Sequence, residues 1–242
     1  MEAQTEAAKK AKEFYETFKI DVENRILQKF PERIIHLNEL LKMPEFHIAA
    51  NDIKCKLEIP TISKIENNVK NCDEKNVVKR PRLDSNSHDL IPEQTHIPHN
   101  KNITEALKIL KPNIKELAED VNDVKLWVSL FIPKIEDGNN FGVGVQEEII
   151  HEVEQVKSII DTYLEQVSLY YEVRGKFITK VFKYPYIEDY RCTVAELDYK
   201  QYFYLTHTLC DICNTYKTLH DTVIKNIEKI KKPRSSNTDS LY

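Results

Sequence analysis

Glycine is scarce in this sequence, and most of it falls in one place. The 242 residues contain 4 glycines, and three of these, Gly138, Gly142 and Gly144, lie close together. Folds rich in β-turns and dinucleotide-binding α/β folds need glycines spread along the chain. A chain of long helices does not, so the composition argues against those folds and predicts an all-α protein.

The sequence also lacks a long apolar run and an excess of either charge. No apolar stretch approaches the ~20 residues that span a bilayer, and residues 1–12 lack the apolar core of a secretory signal. Basic and acidic residues, 35 and 39, are intermixed, so the net charge of −4 gives no general attraction to nucleic acid or membranes. The odd, low number of 5 cysteines indicates free thiols in a reducing compartment. We expect a soluble intracellular protein that binds neither membrane nor nucleic acid.

Helical periodicity is what the sequence has instead. Apolar residues recur every three or four positions in four segments, at about 5–42, 101–132, 145–183 and 190–232. Pro31 predicts a kink or short break in the first segment, and Pro112 predicts a bend in the second. Helices of this length, joined mainly by short turns, predict an up-down four-helix bundle.

Aromatic residues on the third and fourth helices exceed what one apolar seam needs. They are either half-buried core residues or surface for contacts between subunits. These residues are Tyr163, Tyr170, Tyr171, Tyr202, Phe203 and Tyr204.

Residues 43–100 interrupt the periodic pattern. Prolines and polar residues dominate this segment, and such a composition buries too little apolar surface to offset the entropy of ordering. We therefore expect a mobile insert between the first helix, at 1–42, and the remaining three helices, at 101–232. A basic cluster in this insert is a candidate nuclear import signal, although it is also explained by a solvated group of charges. The cluster consists of Lys79, Arg80, Pro81 and Arg82.

Two further segments lie outside the helices. Residues 134–144, between the second and third helices, hold most of the glycine, and Gly and Asn tolerate positive φ, so this segment is either a loop of specific shape or an ordinary helix connection. The tail at 233–242 is polar, has no helical periodicity and ends in an apolar and an aromatic residue, so it is either a frayed end or an attachment peptide.

No constellation for catalysis, cofactor binding or metal binding stands out. Cys210 and Cys213 have the spacing of a redox or zinc pair, but both fall in the middle of a predicted helix without a second pair. Residues 151–155, HEVEQ, lack the second histidine of a zincin motif, and Gly175-Lys176 lacks the rest of a phosphate-binding loop. We therefore expect neither enzymatic activity nor use of ATP, a cofactor or a metal.

Residues 132–143, IPKIEDGNNFGV, closely resemble the activation loop of the REG-type (11S) proteasome activators. The resemblance covers roughly 101–242 and more weakly the first helix, and the tail and basic cluster are most similar to the gamma members of this family. Further matching segments are KYP at 183–185, EDYR at 188–191, LHD at 219–221, KNIEKI at 225–230, and PRSSN at 233–237 followed by LY at 241–242.

The resemblance implies a subunit of a heptameric ring with a central channel, here a homoheptamer, whose partner is the α-ring of the 20S proteasome. In this family the C-terminal residues enter pockets between α subunits, and the loop pushes on a turn beside the gate. The tail role then falls on Ser240, Leu241 and Tyr242. The loop role falls on Lys134, Ile135, Glu136, Asp137, Gly138, Asn139, Asn140, Phe141 and Gly142.

Two classes of function follow. The first is an ATP-independent, non-enzymatic activator that opens the gate of the 20S proteasome. For a gamma-like member the resemblance implies a nuclear location, and the sequence does not decide whether a cytoplasmic pool exists as well. The second is a helical scaffold or adapter that binds other proteins along its helices. A hydrolase has no supporting residues. Loss of Leu241 and Tyr242 separates the first two, because an adapter would be indifferent to it.

Overall fold

The computed structural model describes residues 6–49, 52–53, 97–133 and 143–232, and within these ranges the chain is helical without β-strands. The predicted all-α class with four long helices is confirmed. The first helix consists of α1 (Glu6–Asn24), a π-helical turn (Arg25–Lys29) and α2 (Phe30–Leu40), followed by a 3₁₀ turn (Pro44–Phe46). The other three helices are α3 (Lys101–Ser129), α4 (Gly144–Lys183) and α5 (Glu188–Lys231).

Proline explains the break in the first helix. Pro31 is in the first turn of α2 and has no N–H to donate to the carbonyl four residues earlier. In the π turn before it, the N–H of Phe30 bonds to the carbonyl of Arg25, five residues back. The break that we expected at Pro31 is therefore found as a π turn directly before α2, in which the backbone bond reaches five residues back instead of four.

The ends of α3 follow from local chemistry. Asn100 caps its start, since the Asn100 Oδ1 accepts hydrogen bonds from the backbone N–H groups of Asn102 (3.1 Å) and Ile103 (3.5 Å). Pro112 lies inside α3 and does not end it. The helix instead ends at Ser129, three residues before the predicted position, because turn bonds such as Phe131 N–H to Val128 carbonyl (3.1 Å) replace the helical pattern ahead of Pro133.

The chain divides into two compact units. Unit 1 comprises Met1–Met43, Lys108–Leu164 and Thr206–Tyr242, and unit 2 comprises Pro44–Leu107 and Glu165–Leu205. The predicted apolar stripe of α3 is buried throughout, and its residues are Ile103, Leu107, Leu110, Ile114, Leu117, Val121, Val124 and Val128. No helix in the described ranges combines the length and apolar character needed to cross a membrane.

The apolar repeat does not mark a buried side chain at every position. Phe14, which lies on the apolar repeat of the first helix, is 62% exposed, whereas Val22 and Ile26 further along the same repeat are buried. On α5 the apolar repeat includes Leu197, which is half-buried, whereas the adjacent Asp198 is fully buried. Of the surplus aromatic residues, Tyr163, Tyr170 and Tyr202 are buried, and Tyr171 and Phe203 are exposed.

The first residues of the predicted insert are packed in unit 2. Phe46 and Ile53 are buried, and the hydroxyl of Tyr202 accepts a hydrogen bond from the N–H of Ile48 (2.8 Å) and donates one to the carbonyl of Glu45 (3.0 Å). These contacts fix the chain just after the first helix. Residues 54–96 of the insert lie outside the described ranges.

Candidate functional site

The three predicted site segments fall outside the described residues. These segments are the loop at 134–142, the tail at 240–242 and the basic cluster at 79–82. The structure does describe the helix ends to which the loop and the tail are attached, and all of these ends belong to unit 1. We call residues 127–133, 143–149 and 229–232 the loop-and-tail end of unit 1.

Gln146 connects the start of α4, which follows residues 134–142, to the end of α5, which precedes the tail. Its side chain is fully buried, and its Nε2 donates hydrogen bonds to the backbone carbonyls of Lys229 (3.2 Å) and Ile230 (3.0 Å). Carbonyls in the last turn of a helix have no partner within the helix. For Lys229 the sequence guarantees this, because the residue four positions on is Pro233, which has no N–H. Gln146, in the first turn of α4, therefore caps the C-terminus of α5.

The first helix holds the entry side of the loop. Trp127, a fully buried residue near the end of α3, donates from Nε1 to the backbone carbonyl of Lys19 (3.1 Å). The Lys19 ammonium lies 5.0 Å from the centre of the Phe131 ring, which packs edge-on against Trp127 at 5.2 Å. The end of α3 is thus fixed to α1 by the hydrogen bond of Trp127, and the turn after it by the cation–π contact of Phe131.

Two ion pairs complete the connections around this end. Lys231, the last residue of α5, pairs with Glu23 of α1, and their side chains are 30% and 26% exposed. Lys125 of α3 pairs with Glu154 of α4 at 2.8 Å, and its hydrogen bond and charge lower the pKa of the Glu154 carboxyl. The second pair is open to solvent and contributes little. Together with Gln146, these contacts link α1, α3, α4 and α5 near the helix ends that border residues 134–142 and 233–242.

A polar cluster within unit 1 is centred on Asp120. Asp120 accepts from the hydroxyl of the fully buried Tyr216 (2.7 Å) and lies 3.4 Å from the guanidinium of Arg25, which also pairs with Asp123. Partial burial opposes the charge of Arg25, but the hydrogen bond and charge of Asp123, assisted by Asp120, outweigh it and raise the pKa of the guanidinium. Burial, and then the bond to Asp120, raise the pKa of Tyr216 well above its ordinary value.

Unit 2 contains a comparable cluster centred on Asp198. This fully buried carboxylate accepts from Nε of Arg174 (2.8 Å), the hydroxyl of Tyr170 (2.9 Å) and Nδ2 of Asn100 (2.9 Å). Burial and the charge of Asp198 raise the pKa of Tyr170 far above its usual range. Because Asn100 also caps α3, the cluster ties the start of that helix to α4 and α5.

Gln146, Asp120 and Asp198 were not predicted from the sequence, although a signal for them exists. Each lies three or four residues from an apolar residue of the helical repeat, as Gln146 does from Ile149 and Asp198 does from Val194. A polar residue at an apolar position of the stripe indicates a buried, hydrogen-bonded group. The burial of all three side chains agrees with that interpretation.

The remaining chemical motifs have ordinary surroundings. Cys213 is buried, with its Sγ 3.9 Å from the carbonyl of Ile34, and Cys210 is half-buried. In the ranges that the structure describes, no three His, Cys, Asp or Glu side chains converge as a metal site would require.

Comparison with known proteins identifies the family. The family described as "Proteasome activator PA28, C-terminal" matches residues 96–240, and "Proteasome activator PA28, N-terminal" matches residues 5–64. Proteasome activator complex subunit 3 from Gallus gallus is 38% identical over 243 residues, covering 96% of this chain and 95% of that protein. The same subunit from Homo sapiens is 38% identical over 244 residues, with the same coverage.

A solved structure agrees with these sequence matches. The 11S subunit of the Plasmodium falciparum proteasome, PA28, has a TM-score of 0.71 and 29% sequence identity, covering 97% of this chain and 99% of that one. Two family domains, full-length relatives and a shared fold lead to one conclusion. The chain belongs to the PA28 family of proteasome activators.

Proposed function

We propose that this chain is an ATP-independent, non-enzymatic activator of the 20S proteasome. The observation that carries the proposal is the 38% identity with Proteasome activator complex subunit 3 across 96% of the chain. The position of the two recognised segments supports it: residues 134–142 and 233–242 both begin at the loop-and-tail end of unit 1. An activator needs its docking and gate-opening elements to face the same partner, and this arrangement gives both a common base.

Docking is assigned to Ser240, Leu241 and Tyr242. An apolar and an aromatic side chain beside a terminal carboxylate suit a pocket with a basic residue and apolar walls. One such tail binds weakly, but the tails of a homoheptameric ring act together and raise the effective concentration. The proposed partner is the α-ring of the 20S proteasome, and the proposed assembly encloses a central channel.

Gate opening is assigned to residues 134–142, with Asp137, Gly138 and Asn139 as the contacts. A loop shifts the gate toward its open state only if it binds that state better than the closed one. The free energy that the loop supplies for gate opening is therefore separate from the binding free energy that the tails supply for docking. This separation predicts variants that dock normally and yet do not activate.

A nuclear location is part of the proposal, with Lys79, Arg80, Pro81 and Arg82 as the import signal. A fluorescent fusion of the full chain tests it directly. Alanine at the three basic positions of this cluster should shift the fusion into the cytoplasm. Alanine at two other lysines of the same segment, Lys70 and Lys75, is the control and should cause no shift. An unchanged nuclear signal in the triple variant would remove the cluster from the proposal.

Hydrolysis of a fluorogenic peptide by latent 20S particles tests the central proposal. The full chain should stimulate turnover without ATP, deletion of Leu241 and Tyr242 should abolish binding, and Asn139→Tyr should preserve binding while abolishing stimulation. Native mass spectrometry should give a mass seven times the 28.4 kDa of one chain. A purified protein that stays monomeric at cellular concentration would overturn the ring.

Matched variants exclude general damage and the adapter alternative. Asn214→Tyr makes the same change at an exposed position of α5 and should leave stimulation intact. The double variant Ser235→Ala and Ser236→Ala changes the tail but keeps its last three residues, and it should also leave stimulation intact. An adapter that binds other proteins along its helices would be unaffected by loss of the last two residues, so full activity of both the deletion and the loop variant would refute gate opening.

A further inference from the structure

We infer that Gln146 is a positioning residue that sets the register between the loop and the tail; the inference rests on the proposed function. Its two hydrogen bonds connect the first turn of α4, four residues after Gly142, to the last turn of α5, three residues before Pro233. One side chain thereby fixes the base of the loop that acts on the gate relative to the base of the tail that holds the ring on the proteasome.

The surroundings make this link the main constraint at the start of α4. In the first turn of that helix Gly144 and Glu147 are exposed and Val145 is half-buried, so Gln146 is the buried residue of this described turn. Apart from its chain neighbours and its own helix backbone, no described atom lies within 4 Å of a Cβ added at Gly144, so the helix is open on that side. The next fully buried side chain on the helix is Ile149. Without Gln146, no buried side chain in this turn would hold the helix that follows the loop.

The chemistry at the other end of the link is equally specific. The carbonyl of Lys229 cannot receive a bond from Pro233, and Ile230 lies in the last turn of α5, so both acceptors need a donor from outside the helix. An amide has two N–H donors on one nitrogen and can serve two adjacent carbonyls. Leaving buried acceptors without donors is costly, which favours one relative placement of α4 and α5 at this end.

Displacement of the loop relative to the tail should affect gate opening more than docking. The tail residues bind through their own side chains and carboxylate, and the polar segment 233–239 separates them from α5. The loop must meet the gate at a defined height, and a shift of about 1 Å in a positioned group can lower a rate about a hundredfold. Gln146 therefore affects the maximal stimulated rate rather than the activator concentration that gives half of it.

The test uses the complete ring and Gln146→Met, which nearly conserves volume and removes both donors. We expect the maximal stimulation of peptide hydrolysis to fall at least about fivefold, the factor that one net hydrogen bond contributes to an equilibrium constant. The half-maximal concentration should change less than about twofold, and the native mass should remain that of the wild-type ring. The side chain of Gln146→Asn is one methylene shorter and can keep at most one of the two hydrogen bonds. It should therefore give a smaller loss of maximal stimulation than Gln146→Met.

Gln201→Met is the matched control, because Gln201 is a glutamine of α5 that is also buried, at 7% exposed, and lies in unit 2. It should leave the maximal stimulation unchanged. Full stimulation by Gln146→Met would overturn the inference, and so would a parallel loss of binding or of ring assembly, since those results would make Gln146 a docking or assembly residue. If the wild-type chain itself failed to stimulate the 20S particle, the proposed function would fail instead.

Discussion

The two units each bury an aspartate, but they pair it in different ways. In unit 2 the Asp198 side chain is fully buried and the Arg174 side chain is 8% exposed. In unit 1 the Asp120 side chain is 9% exposed, and its partner Arg25 is 33% exposed and shared with Asp123. Each carboxylate also accepts a hydrogen bond from a buried tyrosine.

The difference lies in what surrounds the arginine if the carboxylate is lost. Arg174 has been removed from water and depends on Asp198, whereas Arg25 keeps both Asp123 and solvent. A charge left buried without a partner is far more costly than the net value of the original pair. The cluster of unit 2 is therefore the more sensitive to removal of its aspartate, and the donors of Tyr170 and Asn100 that would lose their acceptor add to the cost.

Asp198→Ala should give the largest loss of stability. We expect it to lower the free energy of unfolding by about 3–5 kcal/mol, because Arg174 becomes an uncompensated buried charge. Asp120→Ala should cost about 1–3 kcal/mol, since the main loss is the acceptor for the Tyr216 hydroxyl. Urea unfolding followed by circular dichroism, at one protein concentration because assembly adds to stability, measures both.

Asp221→Ala provides the control for these two variants. Asp221 pairs with Lys225 on the exposed face of α5, and both side chains are at least 60% exposed. Its removal should change stability by less than about 0.5 kcal/mol. Equal losses in the Asp198 and Asp120 variants would show that the exposure of the arginine does not decide the cost.

The order of the two units should reverse when the tyrosines are changed. In Tyr170→Phe both oxygens of Asp198 keep a donor, one from Arg174 and one from Asn100. In Tyr216→Phe one oxygen of Asp120 loses the only described donor that lies within 3 Å of it. We expect losses of about 1 kcal/mol in the first variant and about 2 kcal/mol in the second.

The same urea experiment decides this second comparison, and Tyr171→Phe is its control because Tyr171 is 42% exposed. That variant should have the same free energy of unfolding as the wild type. A greater loss for Tyr170→Phe than for Tyr216→Phe would show that burial depth, rather than the number of remaining donors, sets the value of each hydroxyl.

Much of the fold could be predicted from the sequence, because it depends on apolar period and proline position. The bounds of α4 and α5 lie within two residues of the predicted ones, and the break at Pro31 follows from its missing N–H. The polar centres could not be predicted, since a stripe marks a buried face without showing which neighbour supplies a donor. Gln146 illustrates this, because its carbonyl partners lie more than 80 residues away in sequence.

The candidate site rests on a resemblance rather than on a physical pattern, and it stays a prediction. Composition identified residues 134–144 and 233–242 as exceptions to the helical pattern, but it could not distinguish a working loop from a connection. The structure adds the contacts of the helix ends that adjoin these segments, which Gln146, Trp127 and Lys231 make. These contacts join residues distant in sequence, so they require the assembled helices.

The pH dependence of stability above about pH 9 gives the smallest expected effect, and it reports on the two buried tyrosines. In both units the folded state raises the pKa of the tyrosine, chiefly through burial, so it holds the proton more tightly than the unfolded chain does. Stability from this source is complete below the unfolded pKa of about 10 and is lost as pH rises above it. Between about pH 9 and about pH 10.5, each tyrosine should account for a loss of about 0.8 kcal/mol.

Tyr170→Phe and Tyr216→Phe should each therefore unfold with a weaker dependence on alkaline pH than the wild type. Urea unfolding at the two pH values, with tyrosinate absorbance followed in parallel, measures the difference. Because lysines titrate in the same range in every variant, only the difference between variant and wild type is informative. If both variants kept the wild-type pH dependence, the phenols would already ionise in the folded protein, and the two clusters could not be as closed to hydroxide and water as their hydrogen bonds and burial require.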